Sequence, residues 1–136
     1  MNPVRVIGFD FGTRHIGVAS GQSVTGRAQA LPELSARDGI PDWNVVSRLM
    51  GEWQPDVVVV GDPLNMDGSV SEMSLRARKF ARRVQHRFNI PVHMVDERLS
   101  SFEVRQSVGA GHDERVDSGV AALLIENWLA AQVTSH

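Results

Sequence analysis

Four consecutive valines, Val57 to Val60, stand between Pro55-Asp56 and Gly61-Asp62-Pro63. An apolar run cut off so sharply by turn formers fits a strand covered on both faces, the usual setting of a parallel strand layered between helices. The rest of the chain supplies the layers. Upstream, Val4 to Phe11 reads as a buried strand and Gly12-Thr13-Arg14 as a tight turn into a second strand, His15 to Ser20. A third strand from near Gly26 toward Leu31 completes an antiparallel meander. Asp42 then caps a helix whose apolar positions Val45, Val46, Leu49, Met50 and Trp53 keep helical spacing until Gln54-Pro55 stops it. Downstream, Met73, Ala77, Phe80, Ala81, Val84 and Phe88 gather on one helical stripe that ends at Asn89-Ile90-Pro91. Val92 to Asp96 forms the next strand. Ser100-Ser101-Phe102-Glu103 has the capping-box pattern of a short helix closed by Gly109-Ala110-Gly111, and a last helix runs from about Asp117 to Ala131. The order βββ-α-β-α-β-α-α predicts an α/β fold: a mixed sheet of five strands with helices on both faces.

At 136 residues the chain is expected to form a single domain, 1–136, without repeats or linkers. It contains no cysteine, which excludes disulfides, thiolate catalysis and Cys-ligated metal, so any metal must sit on oxygen or imidazole. The N-terminal apolar run is too short for a signal peptide or a membrane span, and the expected location is cytoplasmic. The formal net charge of −2 does not advertise a nucleic-acid partner, but its distribution does. Arg76, Arg78, Lys79, Arg82, Arg83 and Arg87, six of 14 basic residues, fall within twelve positions, so one helix face must be strongly positive. Arg76, Lys79 and Arg83 represent that face as candidate phosphate contacts; a solvated helix face is the alternative.

Three carboxylates stand out. Asp10 ends the apolar run Val6-Ile7-Gly8-Phe9, where a carboxylate loses hydration and needs a compensating partner; the N–H groups of Gly12 and Thr13 are one choice and a ligand is the other. Glu97 closes the strand beside Asp96 and Arg98. Strand parity alone does not say which of the two acids faces a site, and a surface Glu-Arg pair is the simpler reading. Asp117 lies i−4, i−7, i−8 and i−11 from Ala121, Leu124, Ile125 and Trp128, on the stripe its helix buries, where it serves as N-cap, as inward-facing ligand, or as both. Converging at one sheet edge, the three make an all-oxygen site suited to Mg²⁺ or Mn²⁺ and so to phosphate oxygens. The polar loop Gly61 to Gly68 follows the valine strand at the edge where ligands of open α/β sheets commonly bind.

Gly8-Phe9-Asp10-Phe11-Gly12-Thr13-Arg14-His15-Ile16-Gly17-Val18-Ala19, Pro63-Leu64-Asn65-Met66-Asp67-Gly68, Asp96-Glu97-Arg98-Leu99-Ser100 and Val116-Asp117-Ser118 together carry a family resemblance. In order and spacing they resemble the bacterial YqgF family of pre-16S rRNA nucleases, also called Holliday-junction-resolvase-like proteins, from about Val4 to Leu129. The resemblance implies an RNase H-like fold and metal-dependent phosphodiester cleavage with Asp10, Glu97 and Asp117 as the acidic triad. It further implies a two-metal arrangement in which Asp10 bridges Mg²⁺ or Mn²⁺ ions that Glu97 and Asp117 each hold singly. Thr13, Asn65 and Arg98 are secondary candidates for substrate contact, with turn stabilisation and surface pairing as their alternatives.

Two departures from the family pattern bear on substrate grip. Asp62 stands where relatives usually have leucine, adding a charge near the site, and the stretch 109–115 is short and nearly neutral. The implied substrate is structured RNA, the pre-16S rRNA or an assembly intermediate containing it, ahead of four-way DNA, whose symmetric resolution needs two coordinated sites. No membrane partner is expected. A non-catalytic nucleic-acid-binding module is the reading from another class, disfavoured because all three acids are present. Asp10-Phe11-Gly12-Thr13 also resembles the first phosphate loop of sugar kinases and actin-like ATPases, but those proteins clasp nucleotide between two such halves and 136 residues supply one, so an ATP-binding role is not expected.

Overall fold

The computed structural model describes residues 3–98 and 118–134. Its strands are β1 (Arg5–Asp10), β2 (His15–Gln22), β3 (Arg27–Arg37), β4 (Ile40–Pro41), β5 (Val57–Asp62) and β6 (Val92–Asp96). The helices among the described residues are α1 (Trp43–Trp53), α2 (Glu72–Phe88) and α3 (Ser118–Thr134). The sheet order is β4-β3-β2-β1-β5-β6, antiparallel from β4 to β1 and parallel from β1 through β6. The expected meander and mixed sheet are present. The expected helix opening at Ser100-Ser101-Phe102-Glu103 lies outside the described residues.

Among the described residues the sheet has six strands, not five. The additional one, β4, is two residues long and pairs Ile40 with Arg37 and Pro41 with Ala36. Asp38 (φ 51°) and Gly39 (φ 80°) form the intervening turn, with positive φ at both central positions as a two-residue hairpin requires. β3 also runs past its expected end. Its pairing with β2 shifts between Leu31 opposite Val18 and Leu34 opposite Ile16, so Pro32 falls in a bulge, where a missing N–H removes no ladder bond.

Every residue of β5 is buried. Val58 and Val60 join Ile7, Phe9, Val46, Met50, Ala77, Phe80 and Val84 in the core beneath α1 and α2. Val57 and Val59 join Val6, Ala121, Leu124, Ile125 and Leu129 beneath α3. The valine run therefore serves two cores at once, as its unbroken apolarity predicts.

Local chemistry fixes the helix ends. Asp42 accepts from the Asn44 N–H at the start of α1, and Gln54, in the left-handed region, donates its N–H to the Met50 carbonyl at its end. Ser71 caps α2 by accepting from the Ser74 N–H, with Glu72 in the first turn and His86 and Arg87 in the last, each placed to suit the helix dipole. The Ser118 Oγ accepts from the buried Val18 N–H of β2, and Glu126 accepts from the Ala28 N–H of β3, which seats α3 on the meander. Among the described residues, no helix is long and apolar enough to cross a membrane.

Candidate active site

Side chains alternate along β1: Ile7 and Phe9 enter the core under α1 and α2, whereas Val6 enters the core under α3. A Cβ on Gly8 would meet Ile125 of α3, so Gly8 shares that second face. Asp10 has the same parity and ends the strand only 3% exposed, on the α3 side at the carboxyl edge.

Glu97 follows directly on β6. Its carboxylate lies over Gly61, with Oε2 2.9 Å from where a Cβ of Gly61 would stand and Leu124 Cδ1 of α3 equally close. Gly61 comes one residue after the Phe9–Val60 register pair, and so beside Asp10 on the neighbouring strand. Asp10 and Glu97 thus lie on one face of two adjacent strand ends, and the missing side chain of Gly61 provides the hollow for Glu97. Asp117 lies outside the described residues; its sequence neighbour Ser118 is anchored to β2 at Val18, the register partner of Phe9. Among the described residues, no three acids or histidines come together as a metal-binding group.

Asp96 is committed elsewhere. Its carboxylate takes a forked pair of bonds from Arg98, Nε at 3.1 Å and Nη2 at 2.7 Å, and this guanidinium holds the Asp96 carboxyl below the ordinary carboxylate range. The fork in turn raises the Arg98 pKa. Arg98 Nη1 reaches across to the Met66 carbonyl at 3.1 Å, tying the β5–α2 loop to the end of β6. Within that loop Asn65 donates from Nδ2 to Ser69 Oγ, and Ser69 donates from both N and Oγ to Asp67. The Ser69 bonds hold the Asp67 carboxyl below its usual value. Arg98 and Asn65, expected to touch substrate, therefore shape the loop beside the carboxylates. Thr13 is half-buried in the β1–β2 turn, and its carbonyl accepts from the Gly39 N–H, linking that turn to the β3–β4 hairpin.

Asp62 does not face the site. By parity it points to the α2 side, 6% exposed, where it accepts from Ser74 Oγ at 2.5 Å and from Arg78 Nη2 at 2.8 Å. The added charge expected near the carboxylates is neutralised beneath α2 instead. Ser74 and Arg78, 12 and 16 residues beyond Asp62, gave no sequence signal of this role.

The basic helix divides. Arg78 is bound to Asp62, and Arg76 reaches Asp38 at 2.7 Å, whereas Lys79 and Arg83 are exposed. A cavity of about 520 Å³ lies at the opposite edge of the sheet, lined among others by Arg5, Gln22, Arg27 and Trp53, and includes none of the candidate acids.

Comparison with known proteins places this geometry in context. The family model described as RuvX, Holliday junction resolvase, matches residues 4–131. Proteins named "Putative pre-16S rRNA nuclease" from Pseudomonas paraeruginosa, Azotobacter vinelandii and Pseudomonas putida are 56%, 54% and 52% identical, over 93–94% of this chain and 94% of each relative. Among solved structures, Thermus thermophilus RuvC in complex with a Holliday junction substrate superposes with a TM-score of 0.55 at 16% identity, covering 96% of both chains. The yeast mitochondrial Holliday junction resolvase Ydc2 gives 0.53 at 12% identity, covering 98% of this chain and 81% of that one. At such identities these structures establish a shared resolvase-type fold.

Proposed function

The chain belongs to the RuvX family, and from that premise we propose that it is a divalent-metal-dependent endonuclease hydrolysing phosphodiester bonds in the 5′-end maturation of pre-16S rRNA. One observation carries the chemistry: Asp10, nearly buried at the end of an apolar strand, shares a face with Glu97, whose carboxylate fills the hollow over Gly61. Two carboxylates brought onto one face of adjacent strand ends supply the kind of oxygen cluster that a hard divalent cation takes.

The donor set fits a hard cation: oxygen only, no thiol in the chain, and two acids from adjacent strand ends. Asp10, Glu97 and Asp117 would hold Mg²⁺ or Mn²⁺, which supplies charge for the scissile phosphate and acidifies water. The chain's own contribution is placement. Gly61 admits Glu97, the register that sets Asp96 beside Asp62 turns Asp96 to the α2 side and leaves Glu97 on this face, and the Arg98 guanidinium bound to Asp96 fixes the loop 63–70 at the rim. Thr13, Asn65 and Arg98 act on substrate through these loops.

The names carried by relatives more than half identical support the RNA substrate, whereas the solved resolvase structures share only the fold. The test is cleavage of a 5′-extended 16S rRNA precursor beside a synthetic four-way DNA junction, with Mn²⁺ or EDTA and with Asp10→Asn as control. The expected result is cutting of the precursor that requires both metal and Asp10. Symmetric nicking of the junction alone would replace this reading with that of a resolvase acting as two copies.

A further inference from the structure

On the sheet face opposite the carboxylates, α2 and the β4–α1 corner enclose an open groove of about 780 Å³. Lys79, Arg82, Arg83, His86 and Arg87 of α2 line one wall, Ile40 and Trp43 the other, and among the described residues no acid lines it. The Trp43 ring stacks on Phe80, with centroids 6.0 Å apart and planes 19° apart, and carries the Arg87 guanidinium 4.3 Å from its centroid. A guanidinium held over an indole face by cation–π attraction can still direct N–H donors toward an anion. Lys79, Arg82 and Arg83 are exposed. In a chain of formal net charge −2, this concentration of cations along one concave strip is a local exception.

We propose that this groove is a second anchor for the substrate, gripping the sugar-phosphate backbone of its flank without reading sequence, on the side of the sheet away from the cleavage site. The proposal rests on the nuclease reading for the identity of the substrate. It does not use the Arg76 position, whose guanidinium is bound to Asp38. Along α2, Arg83 lies about 18 Å from the Ser71 cap at the carboxyl edge, roughly five base pairs of duplex rise. A substrate held at both places must therefore bend over the edge of the sheet or carry a single-stranded flank across it.

The test uses the full chain. In an Asp10→Asn background, which stops cleavage, binding of a labelled 5′-extended rRNA fragment is measured by anisotropy from low to high salt. Lys79→Gln/Arg82→Gln/Arg83→Gln is expected to weaken binding about 10- to 100-fold near 0.1 M salt and to reduce the log–log salt slope by about 2–3, at 0.7–0.9 per lost phosphate contact. The control Arg5→Gln/Arg27→Gln/Arg48→Gln makes the same change in net charge and is expected to leave the slope near its starting value. With Asp10 intact, the groove variant should cleave a flank-truncated substrate at the wild-type rate and the long substrate with a raised KM. An unchanged salt slope, or an equal loss with the control, overturns the anchor and leaves the nuclease reading standing. Absence of cleavage of either substrate by the wild-type chain overturns the nuclease reading, while the slope still reports on the groove.

Discussion

Gly61 is the residue on which the two acids most depend. An alanine there would bring its Cβ within 2.9 Å of Glu97 Oε2 and of Leu124 Cδ1. Both are the far ends of flexible side chains, so Gly61→Ala should fold with a nearly unchanged thermal midpoint while displacing Glu97; cleavage rate should fall at least tenfold with substrate affinity retained. Asp62, one position on, predicts the reverse. Arg78→Met leaves its carboxylate buried with Ser74, a loss of about 1–3 kcal/mol seen as a lower denaturation midpoint, with the specific activity of the folded fraction preserved. Neighbouring residues of one strand thus separate chemistry from stability because they point to opposite faces. That parity was legible in the sequence: alternation puts Gly8 and Asp10 on one side and Ile7 and Phe9 on the other. The choice of Glu97 over Asp96 was not, since it depends on the register that sets Asp96 opposite Asp62 on the α2 side, which no spacing rule specifies.

Helices and strands were legible where caps and periodicity agreed. Asp42, Gln54-Pro55 and Asn89-Ile90-Pro91 bound α1 and α2 as their chemistry requires. β4 was missed although Asp38-Gly39 is a strong hairpin signal, because two residues, one of them proline, show no alternation to catch the eye. β3 was cut short at Leu31 because Pro32 reads as a stop, and only the partner strand reveals the bulge that tolerates it. The tie between Ser118 and Val18 carries no sequence signal either, the two lying 100 residues apart. Ser118→Ala would leave the buried Val18 N–H without that acceptor, costing about 1–3 kcal/mol and loosening the start of α3. Calorimetry should show the stability loss, and cleavage should fall by more than the unfolded fraction explains. The β5–α2 loop offers a separate check: Arg98→Ala releases the Met66 carbonyl, and faster hydrogen exchange across 63–70 should accompany reduced activity.

Taken together, the sheet carries the two candidate acids on the α3 side and a row of cations along α2. Cutting and holding should therefore come apart. EDTA or Asp10→Asn should abolish cleavage and leave the salt dependence of binding unchanged, which parallel cleavage and anisotropy measurements would show; joint loss of both would contradict this division. The bond from Val18 to Ser118 carries a consequence for biosynthesis. At about 5–20 residues per second, the ribosome makes β1 and its Asp10 several seconds before α3 exists to dock on β2. On the proposed triad, Asp117 arrives only with that helix, so the emerging chain holds an incomplete set of acids for most of its synthesis. On the proposed function, the full set of acids would thus come together only when the chain is nearly made.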